Sequence, residues 1–195
     1  MFVVTYPRSG HHLLMNLLCY YFTDHKCENF ETGQFSYCEY YHHCQKIPCS
    51  HAATLQKNHD FNLSLPKTGK VIVQFRNPFN SIISYAKFEK QNPTAWKQFA
   101  TQKAQYWANF MKKWASHPTA LIVPYEQLVA FPEKTLASVL DYYHGSHDPA
   151  RIKQVLAAIP IENRNKNLER SPYFNEQIYL KIISLCRGVH ILYPI

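Results

Sequence analysis

Phe2-Val3-Val4-Thr5-Tyr6-Pro7-Arg8-Ser9-Gly10-His11-His12 opens the chain, and Leu13, Leu14, Leu17, Leu18 and Tyr21 follow at helical spacing. A short apolar run rich in β-branched residues reads as a buried strand, here residues 2–5. Pro7 and Gly10 end that run, and the leucine spacing predicts a helix over 11–22. The chain therefore begins strand, tight loop, helix. Loops in that place bind anions. Amides at a helix start point out of its end, and the helix dipole favours negative charge there. Gly10 lets the backbone approach a ligand closely. Arg8 adds a fixed charge and a planar fork of donors. The loop is not of the GxxxxGK[ST] kind, because it lacks the paired glycines and the Lys-Ser/Thr pair that holds magnesium.

Outward from this loop, strands and helices alternate. Residues 24–51 carry no clear period and are rich in Cys, His, Tyr and Glu, so they read as an irregular insertion. A strand is expected over 53–57, ending at Asn58-His59, and another over 71–75, VIVQF. Helices are expected over 79–90 and 94–116. A strand over 119–124 follows, with the strand pattern running on to 128. Helices over 133–143, 148–158 and 174–186 complete the chain, with Pro132 and Asp148-Pro149 at two of the starts. Continuous apolar strands between helices predict a parallel sheet covered on both faces. The expected fold is a three-layer α/β domain spanning 1–195, with four or five parallel strands.

The chain has 195 residues and a formal net charge of +8, with 46% hydrophobic and 17% charged residues. That balance belongs to a folded domain and excludes a disordered chain. The positive charge suits an anionic partner and equally suits a solvated basic surface. No stretch reaches the roughly 18 apolar residues of a membrane span, and 13–22, LLMNLLCYYF, is too short. The start lacks the basic segment and cleavage site of a signal peptide. The sequence thus reads as soluble and cytoplasmic, as would a chain trimmed of a membrane anchor. Four of the six cysteines, Cys27, Cys38, Cys44 and Cys49, crowd beside His42, His43 and His51. Neither CxxC nor HxxxH spacing occurs, so no metal site is expected. Free thiols, disulfides and a weakly signalled zinc site stay open for the cluster, and of these only disulfides imply an oxidising compartment.

Residues 76–88, RNPFNSIISYAKF, form the second motif. Arg76 ends a strand, Asn77-Pro78 turns the chain, and the next helix carries Ser84. A loop folding back can bring Arg76 and Ser84 to one phosphate. With TYPRSG at 5–10, this pair of motifs resembles the PAPS-dependent sulfotransferases, which use 3'-phosphoadenosine-5'-phosphosulfate (PAPS). The family's 5'-phosphosulfate loop is usually written TYPKSGTTW, and its 3'-phosphate motif RNPKDxxxSxY. Here Arg8 stands for the usual Lys, and His11-His12 for Thr-Thr, so hydroxyl contacts to phosphate are lost. The resemblance implies a nucleotide-kinase-like fold with PAPS as donor. It assigns Tyr6, Pro7, Arg8, Ser9, Gly10, His11 and His12 to the 5' side, and Arg76 and Ser84 to the 3'-phosphate.

Lys57-Asn58-His59 resembles the family's Lys-x-His, whose His takes the acceptor proton. A hydroxyl is a poor nucleophile, and imidazole titrates near neutral pH. Eleven histidines are present, and the motif position singles out His59, with His42, His43 and His51 as competitors. LIVPYEQL at 121–128 resembles the family's YEDL segment, which implies Tyr125 beside the adenine. A sheet-edge cap is the bland role for that residue. The family's closing Arg-Lys-Gly loop and GxW stretch have only Arg164 and Lys166 to answer them. The expected reaction is in-line sulfuryl transfer to a hydroxyl or amine. His59 is the base, Arg8 and Lys57 stabilise the leaving oxygen, and 24–51 is an acceptor-side lid. Neither magnesium nor nucleic acid is expected to take part. Two other classes compete. A nucleotide kinase needs a magnesium site and a GK[ST] loop. A non-catalytic nucleotide- or nucleic-acid-binding module, favoured by the charge, does not need His59.

Overall fold

The structure, a computed structural model, describes residues 1–23, 56–162 and 171–190. Four parallel strands make the sheet: β1 (Phe2–Thr5), β2 (Gln56–Asn58), β3 (Val71–Phe75) and β4 (Ala120–Pro124). Their order is β2-β1-β3-β4. Val3 lies opposite Lys57 on one side and Ile72 on the other, and Ile72 lies opposite Leu121. Seven helices are described: α1 (His11–Thr23), α2 (Pro78–Phe88), α3 (Lys97–Ala115), α4 (Tyr125–Ala130), α5 (Pro132–His144), α6 (Pro149–Ala158) and α7 (Glu176–His190).

Side-chain alternation along the strands divides the core in two. Val3, Ile72 and Val123 pack against α1, α5 and α6 through residues such as Leu14, Leu18, Leu136 and Ile152. Val4, Val73 and Phe75 pack against α2, α3 and α7 through residues such as Ile82, Trp107, Phe110 and Ile182. The architecture is the expected α/β layering with a parallel sheet. The strand expected over 53–57 is described only from Gln56, and the 24–51 insertion with its cysteines lies outside the described residues. Within α1, buried Cys19 is disulfide-bonded, whereas Cys186 is a buried free thiol.

Local side-chain chemistry moves several expected boundaries. The 94–116 helix begins only at Lys97. The Asn92 carboxamide oxygen accepts from the Thr94 amide at 3.0 Å and from its hydroxyl at 2.9 Å, which holds a turn in place of a helical start. Lys90, at φ 52°, lies just past the end of α2. The last helix starts beyond Asn175, whose side chain accepts from the Ile178 amide at 3.1 Å. The strand pattern read to 128 is corrected: β4 stops at Pro124, the extended cap of α4 (φ −63°, ψ 137°). Proline has no N–H for a ladder, and Tyr-Glu-Gln-Leu then starts a helix with an acidic residue in its first turn.

Candidate active site

In a parallel sheet every strand ends at the same edge, and here each strand end carries part of the site. The loop Tyr6–Gly10 leaves β1, His59 follows β2, Arg76 follows β3 and Tyr125 follows β4. The order β2-β1-β3-β4 puts the topological switch between β1 and β3, the position where open α/β sheets bind ligands. The first-turn amides of α1 open onto that point. Leu13 and Leu14 donate back to the Gly10 carbonyl at 3.0 and 3.3 Å, and no acidic residue offsets the dipole in the first turn.

The loop is tight. Arg8 (φ 65°) and Gly10 (φ 79°) both adopt left-handed backbone. For arginine that conformation is uncommon and tends to mark a functional loop. Gly10 is also a close approach: a Cβ there would lie 2.3 Å from Tyr125 Cδ2. The other edge of the Tyr125 environment is Arg76, whose guanidinium sits 4.6 Å from the ring centroid. Tyr125 is 4% exposed, and its hydroxyl donates to the Glu162 carbonyl at 3.3 Å. The ring is therefore a wedge between the first loop and Arg76, with little surface left for an adenine.

The two phosphate-type motifs meet directly. Arg8 Nε donates to Ser84 Oγ at 3.2 Å, and its guanidinium lies 5.0 Å from the Phe88 ring centroid. Ser84 and Phe88 are one helical turn apart on α2, so both face Arg8. Buried Arg76 is fixed through its carbonyl, which accepts from Trp107 Nε1 at 3.1 Å. Asn77 caps α2 by accepting from the Phe79 and Asn80 amides at 3.0 and 3.3 Å. Its own amide donates to Glu126 Oε1 at 3.0 Å, tying the ends of β3 and β4 together.

His59 stands at the foot of the first loop. Its Nδ1 donates to the Thr5 carbonyl at 2.8 Å, and Thr5 Oγ1 lies 3.0 Å from the same nitrogen. A carbonyl only accepts, so Nδ1 carries a proton, and in the neutral form of the ring the lone pair is on Nε2. The Tyr106 hydroxyl donates to the His59 carbonyl. Burial, with Asp60 second, pushes the Tyr106 phenol well up, so it remains a neutral donor.

The remaining assignments fall into distinct places. Tyr6 is fully buried on the α3 face: its hydroxyl donates to the Lys103 carbonyl at 3.0 Å, and its ring packs on Tyr106 and Phe110. Only its backbone faces the loop. Pro7 and His11 are buried, and His12 is half-buried with its ring edge-on to His11. The backbone of Lys57 lies in β2 beside Val3. Arg164 and Lys166 lie outside the described residues.

One residue that motif reading passed over, Gln74, belongs here beside Ser9. Ser9 Oγ and both amide atoms of Gln74 are buried without a protein hydrogen-bond partner. Gln74 pairs with Thr5 at the strand ends, under the loop. Buried polar atoms are rarely left alone, so orphans at this edge fit a site that takes a polar ligand. The signal was present in VIVQF, where one glutamine interrupts an apolar run. Among the described residues, no group of three or more His, Cys, Asp or Glu could hold a metal ion, and no helix is long and apolar enough to cross a membrane.

These features define an α/β protein whose glycine-bearing loop and capped second helix converge at a sheet switch point. The chain belongs to the sulfotransferase domain family, whose model matches residues 1–178. It is thereby a transferase domain of a family that generally draws on PAPS. No curated protein matches the chain.

Proposed function

We propose that this chain, as one domain, transfers a sulfuryl group from PAPS to a hydroxyl or amine by in-line displacement. The observation that carries this reading is the Arg8–Ser84 contact of 3.2 Å, which joins the two phosphate-type motifs in one place. The Gly10 cradle and the orphaned Ser9 hydroxyl fit an anion held against the first loop. Arg76 and Ser84 hold the 3'-phosphate, which distinguishes PAPS from ATP. His59 Nε2 takes the acceptor proton while the acceptor atom bonds to sulfur. The bond from sulfur to the bridging oxygen breaks, and adenosine 3',5'-bisphosphate leaves with that electron pair. Arg8, with Lys57, stabilises the charge on the departing oxygen. Arg164 and Lys166 are assigned to the 3'-phosphate and 24–51 to the acceptor side.

The test is transfer from PAPS labelled in its sulfuryl group to a panel of phenols, alcohols, amines, glycans and tyrosyl peptides. Label is expected in at least one class, with release of the bisphosphate. A general base contributes about 10²–10⁴-fold, so His59→Ala should lose turnover on that scale while keeping bisphosphate affinity. Turnover in His59→Ala within about threefold of the parent would remove the base assignment.

A further inference from the structure

We infer that Asp60 is a positioning residue for His59, acting through a buried anchor on α3. The inference rests on the reading of His59 as base. Asp60 follows His59 directly, so what fixes its carboxylate fixes the path of the chain through the imidazole. The Asp60 side chain has no exposed surface, and that of Lys113 is 16% exposed. Asp60 Oδ2 accepts from Lys113 Nζ at 2.6 Å and from Trp114 Nε1 at 3.0 Å. Its Oδ1 accepts from the Leu65 amide at 2.8 Å.

Lys113 Nζ also donates to the carbonyls of Leu63 at 2.9 Å and Leu65 at 2.6 Å. Each of its three protons thus has an acceptor. The enclosed loop is strained: Asp60 (φ 48°) and Leu63 (φ 55°) are left-handed, and the Leu63 amide donates to the Asp60 carbonyl at 2.8 Å. Such backbone persists only where its surroundings hold it. Tyr106, on the same helix, donates to the His59 carbonyl. Helix α3 therefore grips the chain on both sides of the His59–Asp60 peptide. A buried ion pair offers little net stability over an apolar replacement. What it supplies here is a fixed direction for His59, with Nδ1 on the Thr5 carbonyl.

The imidazole itself reports on this. Long-range 1H–15N spectra of the full chain with adenosine 3',5'-bisphosphate, assigned by the signal lost in His59→Ala, read its tautomer. The parent is expected to show one tautomer, protonated at Nδ1. Asp60→Asn keeps the size but removes the charge facing Lys113. It should convert that signal to a mixture of tautomers, with bisphosphate affinity unchanged. Trp114→Phe removes one donor to Asp60 and keeps an aromatic ring in the core. It should give a smaller change of the same kind, which covers failure of Asp60→Asn to fold. A single Nδ1–H tautomer persisting in a folded, bisphosphate-binding Asp60→Asn or Trp114→Phe overturns the inference and leaves the base reading intact. Parent-like turnover in His59→Ala overturns the base reading, and the catalytic role of the anchor with it, whatever the spectrum shows.

Discussion

Gly10 combines two constraints that no other residue in the loop carries together, a left-handed backbone and a ring packed where a Cβ would go. Gly10→Ala is expected to push Tyr125 from its wedge and disturb Arg76 with it. Bisphosphate affinity should fall along with melting temperature, whereas a change in stability alone would limit Gly10 to a folding role. Both Gly10 and Arg8 were legible in TYPRSG, because a loop between strand and helix is read from local order. The direction of Tyr6 was not used. Strand alternation sends Val4 and Tyr6 to the α3 face, and the hydroxyl ends on the Lys103 carbonyl, nearly a hundred residues away in sequence. Tyr125 shows the same limit. Its place after a strand could be read, but its contact with Gly10 and Arg76 belongs to the folded chain.

At the scale of elements, α2 is the part that carries Ser84 to Arg8, and Asn77 is its cap. Removing an N-cap side chain costs about 1 kcal/mol. Asn77→Ala should lower thermal stability by roughly that amount and weaken the bisphosphate, since Arg76 and Ser84 flank the cap. An unchanged affinity would separate the cap from the 3'-phosphate site. The helix itself was readable from Asn-Pro and the apolar spacing after it. Helix α4 was not, because its few residues continue the apolar character of β4 across Pro124. The link between β2 and α3 was also hidden. Asp60 and Lys113 are 53 residues apart, and neither sits in a motif that announces the pair.

For the molecule as a whole, burial sets its response to alkali. It pushes the Cys186 thiol from 9.0 up to about 12 and raises the phenols of Tyr6 and Tyr106. The folded state keeps these protons at pH values where the unfolded chain releases them. The stability they contribute is therefore full below pH 9 and is lost as pH climbs from there toward 12. Burial lowers Lys103, which acts in the opposite sense, but its side chain is only partly covered. Melting temperature should fall over that range, and a flat profile would contradict the burial of these groups. The disulfide at Cys19 makes a second global expectation. Thiol titration of the denatured, unreduced chain should find at least two fewer thiols than the six cysteines, and six would contradict it. The central claim is that the loops after β1 and β3 together form a site for a nucleotide bearing a 3'-phosphate. Isothermal titration with adenosine 3',5'-bisphosphate and with AMP tests it most directly. A charge-assisted hydrogen bond is worth about 1.5–3 kcal/mol, so AMP should bind at least about tenfold more weakly, and Arg76→Ala should erase most of that difference. Equal affinities for the two nucleotides, or a preference untouched by Arg76→Ala, would contradict it.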